Sequence, residues 1–195
     1  MSGGRDNPWT TLESSEIYDN AWIKVREHRV LKPNGAPGIY GTVHYKHRAV
    51  GVAPIDERGR ICLVGQFRYP HAKYSWEIPE GGGWLDEDPR DAAIRELREE
   101  TGVEARRWLE VLRLDLSNSV SDESAVCYLA WDLDHSAPAP EDTEVLELRW
   151  LAFTDALALA LDGEITDAIS VATLLRIDHM RLKRKLPPAL AAAMA

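Results

Sequence analysis

The sequence predicts an α/β protein whose sheet is covered by helices, with a small antiparallel β-unit at the N-terminus. Three observations carry that prediction. Arg48–Ile55 and Ile61–Tyr69 are near-continuous apolar runs, the pattern of strands buried on both faces. Residues 89–100 are bounded by the start and stop signals of a helix. Two further strand-like segments, Ala21–Val30 and Tyr40–Tyr45, flank the turn cluster Lys32-Pro-Asn-Gly-Ala-Pro-Gly38.

Taken in order, residues 1–46 form the N-terminal unit and residues 47–195 the second domain. A lone hairpin is marginal in water, so the first unit has to pack on something. Asp56–Arg60 is a turn between the two apolar strands, making a hairpin. Trp76-Glu-Ile-Pro-Glu-Gly81 reads as a short strand entering a tight loop, where Gly81, Gly82 and Gly83 let the backbone approach a ligand. Asp88 caps the helix that follows, Pro89 suits its first turn, Asp91 complements its dipole, and Gly102 fits the left-handed stop. Leu109–Leu116, Ser124–Asp132 and Leu146–Leu151 read as strands. Thr154 is the expected cap of a helix over Asp155–Leu161 that Gly163 ends. Thr166 is the expected cap of a longer helix reaching about Lys183, with the basic run Arg181–Lys185 at its negative end. Leu186–Ala195 reads as a frayed tail.

The chain has 195 residues and a formal charge of −9, enough length for a sizeable core. That charge argues against nonspecific binding to nucleic acid or a membrane surface. It leaves a polyanionic small molecule open as substrate, because a bound cation inverts the local field. No apolar run has transmembrane length and no basic-then-apolar signal opens the chain, so the expected location is cytoplasmic. Cys62 and Cys127 sit in apolar strands and read as reduced core residues. The six histidines lack metal-ligand spacing.

On the helix, Glu96, Glu99 and Glu100 lie at i, i+3 and i+4, so they share one face. Three like charges on one face repel, and a hard divalent cation with all-oxygen ligands, Mg²⁺ or Mn²⁺, removes the repulsion. Ala92 and Ala93 flank that face and are expected to leave room for a ligand. Arg95 is one turn before Glu99 and positioned to pair with it. Ile94 and Leu97 are expected to face the core. A solvated surface helix explains the run Arg95–Glu100 alone, but not the offsets of Gly81, Glu87 and Gly102.

Those offsets carry a resemblance. Gly81, five residues, Glu87, seven residues, then Arg95-Glu96-Leu97-Arg98-Glu99-Glu100-Thr101-Gly102-Val103 fills every specified position of the Nudix box. The chain resembles the Nudix hydrolases, which cleave a nucleoside diphosphate linked to another group. The resemblance implies an α/β/α sandwich around a mixed sheet, with metal held by Glu96, Glu99, Glu100 and the carbonyl of Glu80. Gln66-Phe-Arg-Tyr69 followed by Trp76-Glu-Ile-Pro-Glu-Gly81 is similar to the ADP-ribose and nucleotide-sugar diphosphatase branch, with Glu80 where alanine is usual.

The branch resemblance sets further expectations. Arg68 is either a fork for the diphosphate or the partner of a surface carboxylate. Glu77 either hydrogen-bonds base or sugar or holds Arg68. The branch uses its N-terminal unit to build a homodimer in which each subunit helps bind the other's substrate. Trp22 then stacks on a base, or fills the core or the dimer interface. Glu123 either approaches the metal or lies on the loop surface. Ser117–Glu123 lacks the proline of the Ser-Pro-Gly that ADP-ribose enzymes often carry there. The general base is expected from the acidic loop Ser136–Glu144: Asp142 or Glu144, then Glu141, unless these are merely solvated.

The implied reaction is metal-dependent hydrolysis of a nucleoside diphosphate sugar to a nucleoside monophosphate and a sugar phosphate. Another Nudix substrate, such as a dinucleoside polyphosphate, is the alternative within enzymes. A non-catalytic nucleotide-binding regulator is the alternative outside them, but such a protein is expected to lose box carboxylates, and this box keeps them all.

Overall fold

The computed structural model describes residues 6–135 and 146–194, which form two compact units. The first holds the described residues through His47 together with Asp115–Glu123. Its sheet has the order β1-β2-β3, with β1 at Thr10–Asp19, β2 at Ile23–Leu31 and β3 at Pro37–Tyr45. The β2–β3 hairpin closes with Lys32 N donating to Ala36 O at 2.9 Å and Gly35 N to Lys32 O at 2.8 Å, with Gly35 at φ 78°. Glycine adopts that left-handed backbone without strain.

β1 was not legible in the sequence. It is exposed along its whole length, and ion pairs such as Arg29–Glu13 (2.8 Å) and Lys24–Glu16 (3.0 Å) tie it to β2. The segment 115–123 docks on β3. Val43 N donates to Val120 O at 2.8 Å, the Tyr40 hydroxyl to Ser119 O at 2.6 Å, and Tyr45 N to Asp122 Oδ1 at 2.9 Å.

The second unit contains the remaining strands: β4 (His47–Ile55), β5 (Arg60–Arg68), β6 (Lys73–Glu77), β7 (Glu80–Trp84), β8 (Val103–Asp115), β9 (Ser124–His135) and β10 (Glu147–Ala152). Their order is β10-β5-β4-β9-β8, with β6 paired to β5 and β7 to β4. The sheet is mixed: β4 and β9 run parallel, while β10 and β6 are antiparallel to β5. The helices are α1 (Pro89–Thr101), α2 (Phe153–Leu161), α3 (Ala168–Leu182) and α4 (Pro188–Ala193). Alternation along β4 shows the layering. Val50 and Val52 pack in one cluster with Ala92, Ala93 and Leu97 of α1, whereas a Cβ on Gly51 would meet Ile169 of α3 at 2.6 Å. α1 and α3 thus cover opposite faces. None of the described helices is long and apolar enough to cross a membrane.

Several local expectations are corrected. Gly81–Gly83 lie within β7 rather than in a loop, because this strand runs directly under α1. α2 starts at the buried Phe153, with Ala152 rather than Thr154 before it. Asp167, not Thr166, caps α3, its Oδ2 accepting from Ser170 N at 2.6 Å. The tail is not frayed. Leu186, Leu190 and Met194 are buried, and Gly59 touches the backbone of Ala193.

Candidate active site

α1 begins and ends as its residues dictate. Asp88 Oδ1 accepts from Arg90 N at 2.9 Å, and Gly102 adopts φ 68° at the other end. Its rotation differs from the sequence reading. Ala92 and Ala93 are fully buried in the core rather than open to a ligand, and Ile94 is 40% exposed. Leu97 is buried as expected, and so is Glu100, at 3% exposure.

This rotation drives two of the glutamates toward β7. Glu100 Oε2 accepts from the backbone N–H of Glu80 at 3.0 Å. Glu96 packs against Gly81 so closely that a Cβ there would lie 2.2 Å from its Cδ. The box glycine is therefore required by the Glu96 carboxylate. Glu87 Oε2 accepts from Trp84 N at 3.2 Å and lies 3.2 Å from where a Cβ on Gly83 would sit. Arg95 Nη1 bridges Glu96 (2.8 Å) and Glu99 (3.1 Å), while its Nη2 donates to Gly82 O at 2.9 Å.

Arg95 thus ties together three carboxylates, Glu87, Glu96 and Glu99, while Glu100 turns to Glu80 N. The donors are all oxygen, one of the glutamates is buried, and negative charge exceeds positive. Such a set fits a hard divalent cation. The Cys62 thiol beneath is pushed up to about 12 by burial and by the Glu100 charge, so it stays a protonated core group. Burial likewise lifts Cys127 to about 11.

Arg68 ends β5 beside this patch. Its Nε donates to Glu77 Oε1 and Oε2 at 3.1 and 3.0 Å, and its Nη2 to Glu80 Oε1 at 2.6 Å. Burial works to raise the Glu77 carboxyl, but Arg68 outweighs it and holds the group below the usual carboxylate range. Glu80 is pushed far in the opposite direction by burial and by the charges of Asp167 and Glu77. Glu80 therefore joins two sets, with its N–H on Glu100 and its carboxylate on Arg68. Asp167 was missed in the sequence. The signal for it was an acidic N-cap immediately before the apolar run of α3.

Comparison with known proteins gives the family. A family model of the NUDIX domain matches residues 45–173. The chain belongs to the Nudix family. A model of the nucleoside diphosphate sugar hydrolase N-terminal domain matches residues 9–43. An ADP-ribose pyrophosphatase of Mycobacterium tuberculosis is 32% identical over 178 residues, covering 88% of this chain and 84% of that protein. One of Bacillus subtilis is 31% identical over 179 residues, covering 90% and 94%. A solved structure of an ADP compounds hydrolase shares the fold, with a TM-score of 0.82, 19% identity, and coverage of 93% of this chain and 98% of that one.

Trp22 and Glu123 belong to the first unit. Trp22 is 66% exposed, its N–H donating to Asn20 Oδ1 at 2.9 Å. Burial and the neighbouring Glu123 carboxylate together raise the pKa of the Tyr45 phenol. Glu141, Asp142 and Glu144 lie outside the described residues.

Proposed function

We propose that this Nudix enzyme hydrolyses the diphosphate of a nucleoside diphosphate sugar, ADP-ribose or a close analogue, to a nucleoside monophosphate and a sugar phosphate. The observation that carries the reading is the junction at Glu80–Gly81. There the box carboxylates Glu96 and Glu100 and the guanidinium of Arg68 gather around two consecutive residues. Names of relatives at about 30% identity over most of the chain support the substrate class.

Mg²⁺ is the proposed metal, with Mn²⁺ able to replace it, held by Glu96, Glu99, Glu100 and the Glu80 carbonyl. When bound, it supplies charge neutralisation at the phosphates and a more acidic water. Arg95 fixes the rotamers of Glu96 and Glu99 through Nη1. Arg68, whose Nε and Nη2 are bonded to Glu77 and Glu80, offers its positive charge to the diphosphate. Asp142 or Glu144 takes a proton from the attacking water. Trp22 stacks on the base and Glu123 supports the substrate, within a cytoplasmic homodimer built through the N-terminal unit. The exposed Trp22, Ile17 and Ile39 of that unit favour a protein partner for it.

The test is phosphate release in a phosphatase-coupled assay with Mg²⁺, using ADP-ribose, other nucleotide sugars and dinucleoside polyphosphates. Turnover is expected on the first two classes. Preference for the third would move the assignment to another Nudix substrate, and turnover of none would overturn catalysis.

A further inference from the structure

We infer that the Glu80 side chain is a built-in competitor for the diphosphate at Arg68, keeping the outer fork of the guanidinium half occupied. A guanidinium carries five N–H donors in a fixed plane, and a phosphate held by two parallel bonds needs two neighbouring nitrogens. Glu77 takes the Nε side. Nε donates to its Oε1 at 3.1 Å and Oε2 at 3.0 Å, and Nη2 donates to the same Oε2. The second hydrogen of Nη2 goes to Glu80 Oε1 at 2.6 Å. Nη1 is the nitrogen left over, and among the described residues nothing bonds it. A phosphate arriving at the outer fork therefore meets one free nitrogen in place of two.

Neutralising Arg68 does not require Glu80. Glu77, 3% exposed, already meets the guanidinium with both oxygens. A second carboxyl, 10% exposed and beside the charges of Asp167 and Glu77, adds lost solvation and repulsion to the fold. Nor does it swing freely. It shares a side-chain hydrogen bond with Glu77, and the backbone N–H of the same residue is bonded to Glu100. Oε1 can accept from Nη2 whether or not the carboxyl is ionised, so the competition is one of geometry. A diphosphate gains the full fork only by displacing Oε1, which holds its affinity below what Arg68 could otherwise give.

The displaced contact and its ligand belong to the proposed reaction, on which the inference rests, so binding and turnover are read separately. Inorganic pyrophosphate with Mg²⁺ is the calorimetric probe, and ADP-ribose kinetics are the second readout. Glu80→Ala frees Nη2, and the regained charge-assisted bond should tighten pyrophosphate and lower KM for ADP-ribose about tenfold. Glu80→Gln keeps an acceptor oxygen without a charge and should gain less. The background Arg68→Ala/Glu77→Gln removes the guanidinium without stranding a charged Glu77, and there Glu80→Ala should gain little. An equal gain in that background would overturn the competition, since it would come from lost charge alone. So would a gain in Glu80→Gln equal to that in Glu80→Ala. So would pyrophosphate that binds Glu80→Ala no better than wild type, or binds neither. Melting temperatures check the fold, which should hold in Glu80→Ala because Arg68 keeps Glu77. The expected binding pattern without turnover of ADP-ribose would leave the competition standing and count against the proposed reaction alone.

Discussion

Gly81→Ala separates catalysis from folding. The added Cβ would sit 2.2 Å from Glu96 Cδ and 2.3 Å from its Oε2, where ordinary contacts begin at 3.4 Å. The atoms met are the far end of a flexible side chain, so the carboxylate can retreat by about 1 Å while the backbone stays. Gly81 is not among the positive-φ glycines, so alanine adds no backbone strain. A displacement of about 1 Å in a positioning group costs on the order of 10²-fold in rate, or roughly 2.7 kcal/mol of transition-state stabilisation. The expected result is a kcat about 100-fold lower with the melting temperature within a few degrees of wild type. Gly83→Ala is the contrast. Its Cβ would lie 2.6 Å from Cβ of the buried Ala92, so helix α1 itself must shift. Overpacking of that kind costs about 1–3 kcal/mol of stability. Steady-state kinetics and thermal melts of both variants decide the matter. A folded Gly81→Ala with kcat within about threefold of wild type would refute the claim that Gly81 exists to admit Glu96.

Further outcomes follow from the same contacts. Glu100→Gln keeps its size and the bond from Glu80 N but loses the charge, so turnover should fall by orders of magnitude with circular dichroism unchanged. Arg68→Ala strands Glu77, which is 3% exposed, and should cost about 2–3 kcal/mol in denaturant melts. That is below the figure for a wholly buried pair, since Arg68 keeps about a third of its side chain in water. The double variant Arg68→Ala/Glu77→Gln should recover much of the loss, and a purely additive cycle would refute the coupling. Because Glu77 is held below its ordinary pKa, its contribution is present above the unfolded value of 4.5 and fades as pH falls through the lower folded value. Glu77→Gln should therefore flatten the acid limb of the stability curve. Trp22→Ala removes a 66% exposed ring, so the melting temperature should hold while KM rises about tenfold, the range of base stacking. An unchanged KM would return Trp22 to the protein surface.

Much of this fold was legible because local rules and tertiary needs agree. Asp88, Pro89 and Gly102 bracket α1 as capping chemistry requires, and the apolar runs of β4 and β5 sit at the centre of the sheet. Where the rules allow neighbours equally, the reading slipped. Thr166 and Asp167 are both good caps one residue apart, and only the packing of Ile169 and Ser170 selects Asp167. β1 has too little apolar alternation to register, and pairing with β2 alone makes it a strand. In the tail, Leu186, Leu190 and Met194 recur at helical spacing, but the surface that receives them is brought there by the β4–β5 turn at Gly59.

The misreading of α1 has a different cause, and it bears on how the site works. At about 100° per residue, Ala92, Ala93, Glu96, Leu97, Glu100 and Thr101 fall within one half of the helix, and Ile94 falls outside it. An amphipathic reading puts the glutamates on the water side and the isoleucine inside. The fold reverses this: Glu100 is buried, Glu96 is pressed onto Gly81, and Ile94 is left in solvent. Two carboxylates occupy the stripe where burial alone would place leucine. That arrangement is costly without compensation, and the structure supplies part of it through Glu80 N and Arg95. A bound cation would supply the rest. The exposed isoleucine records that the carboxylates, rather than the apolar side chain, take the inner face of this helix.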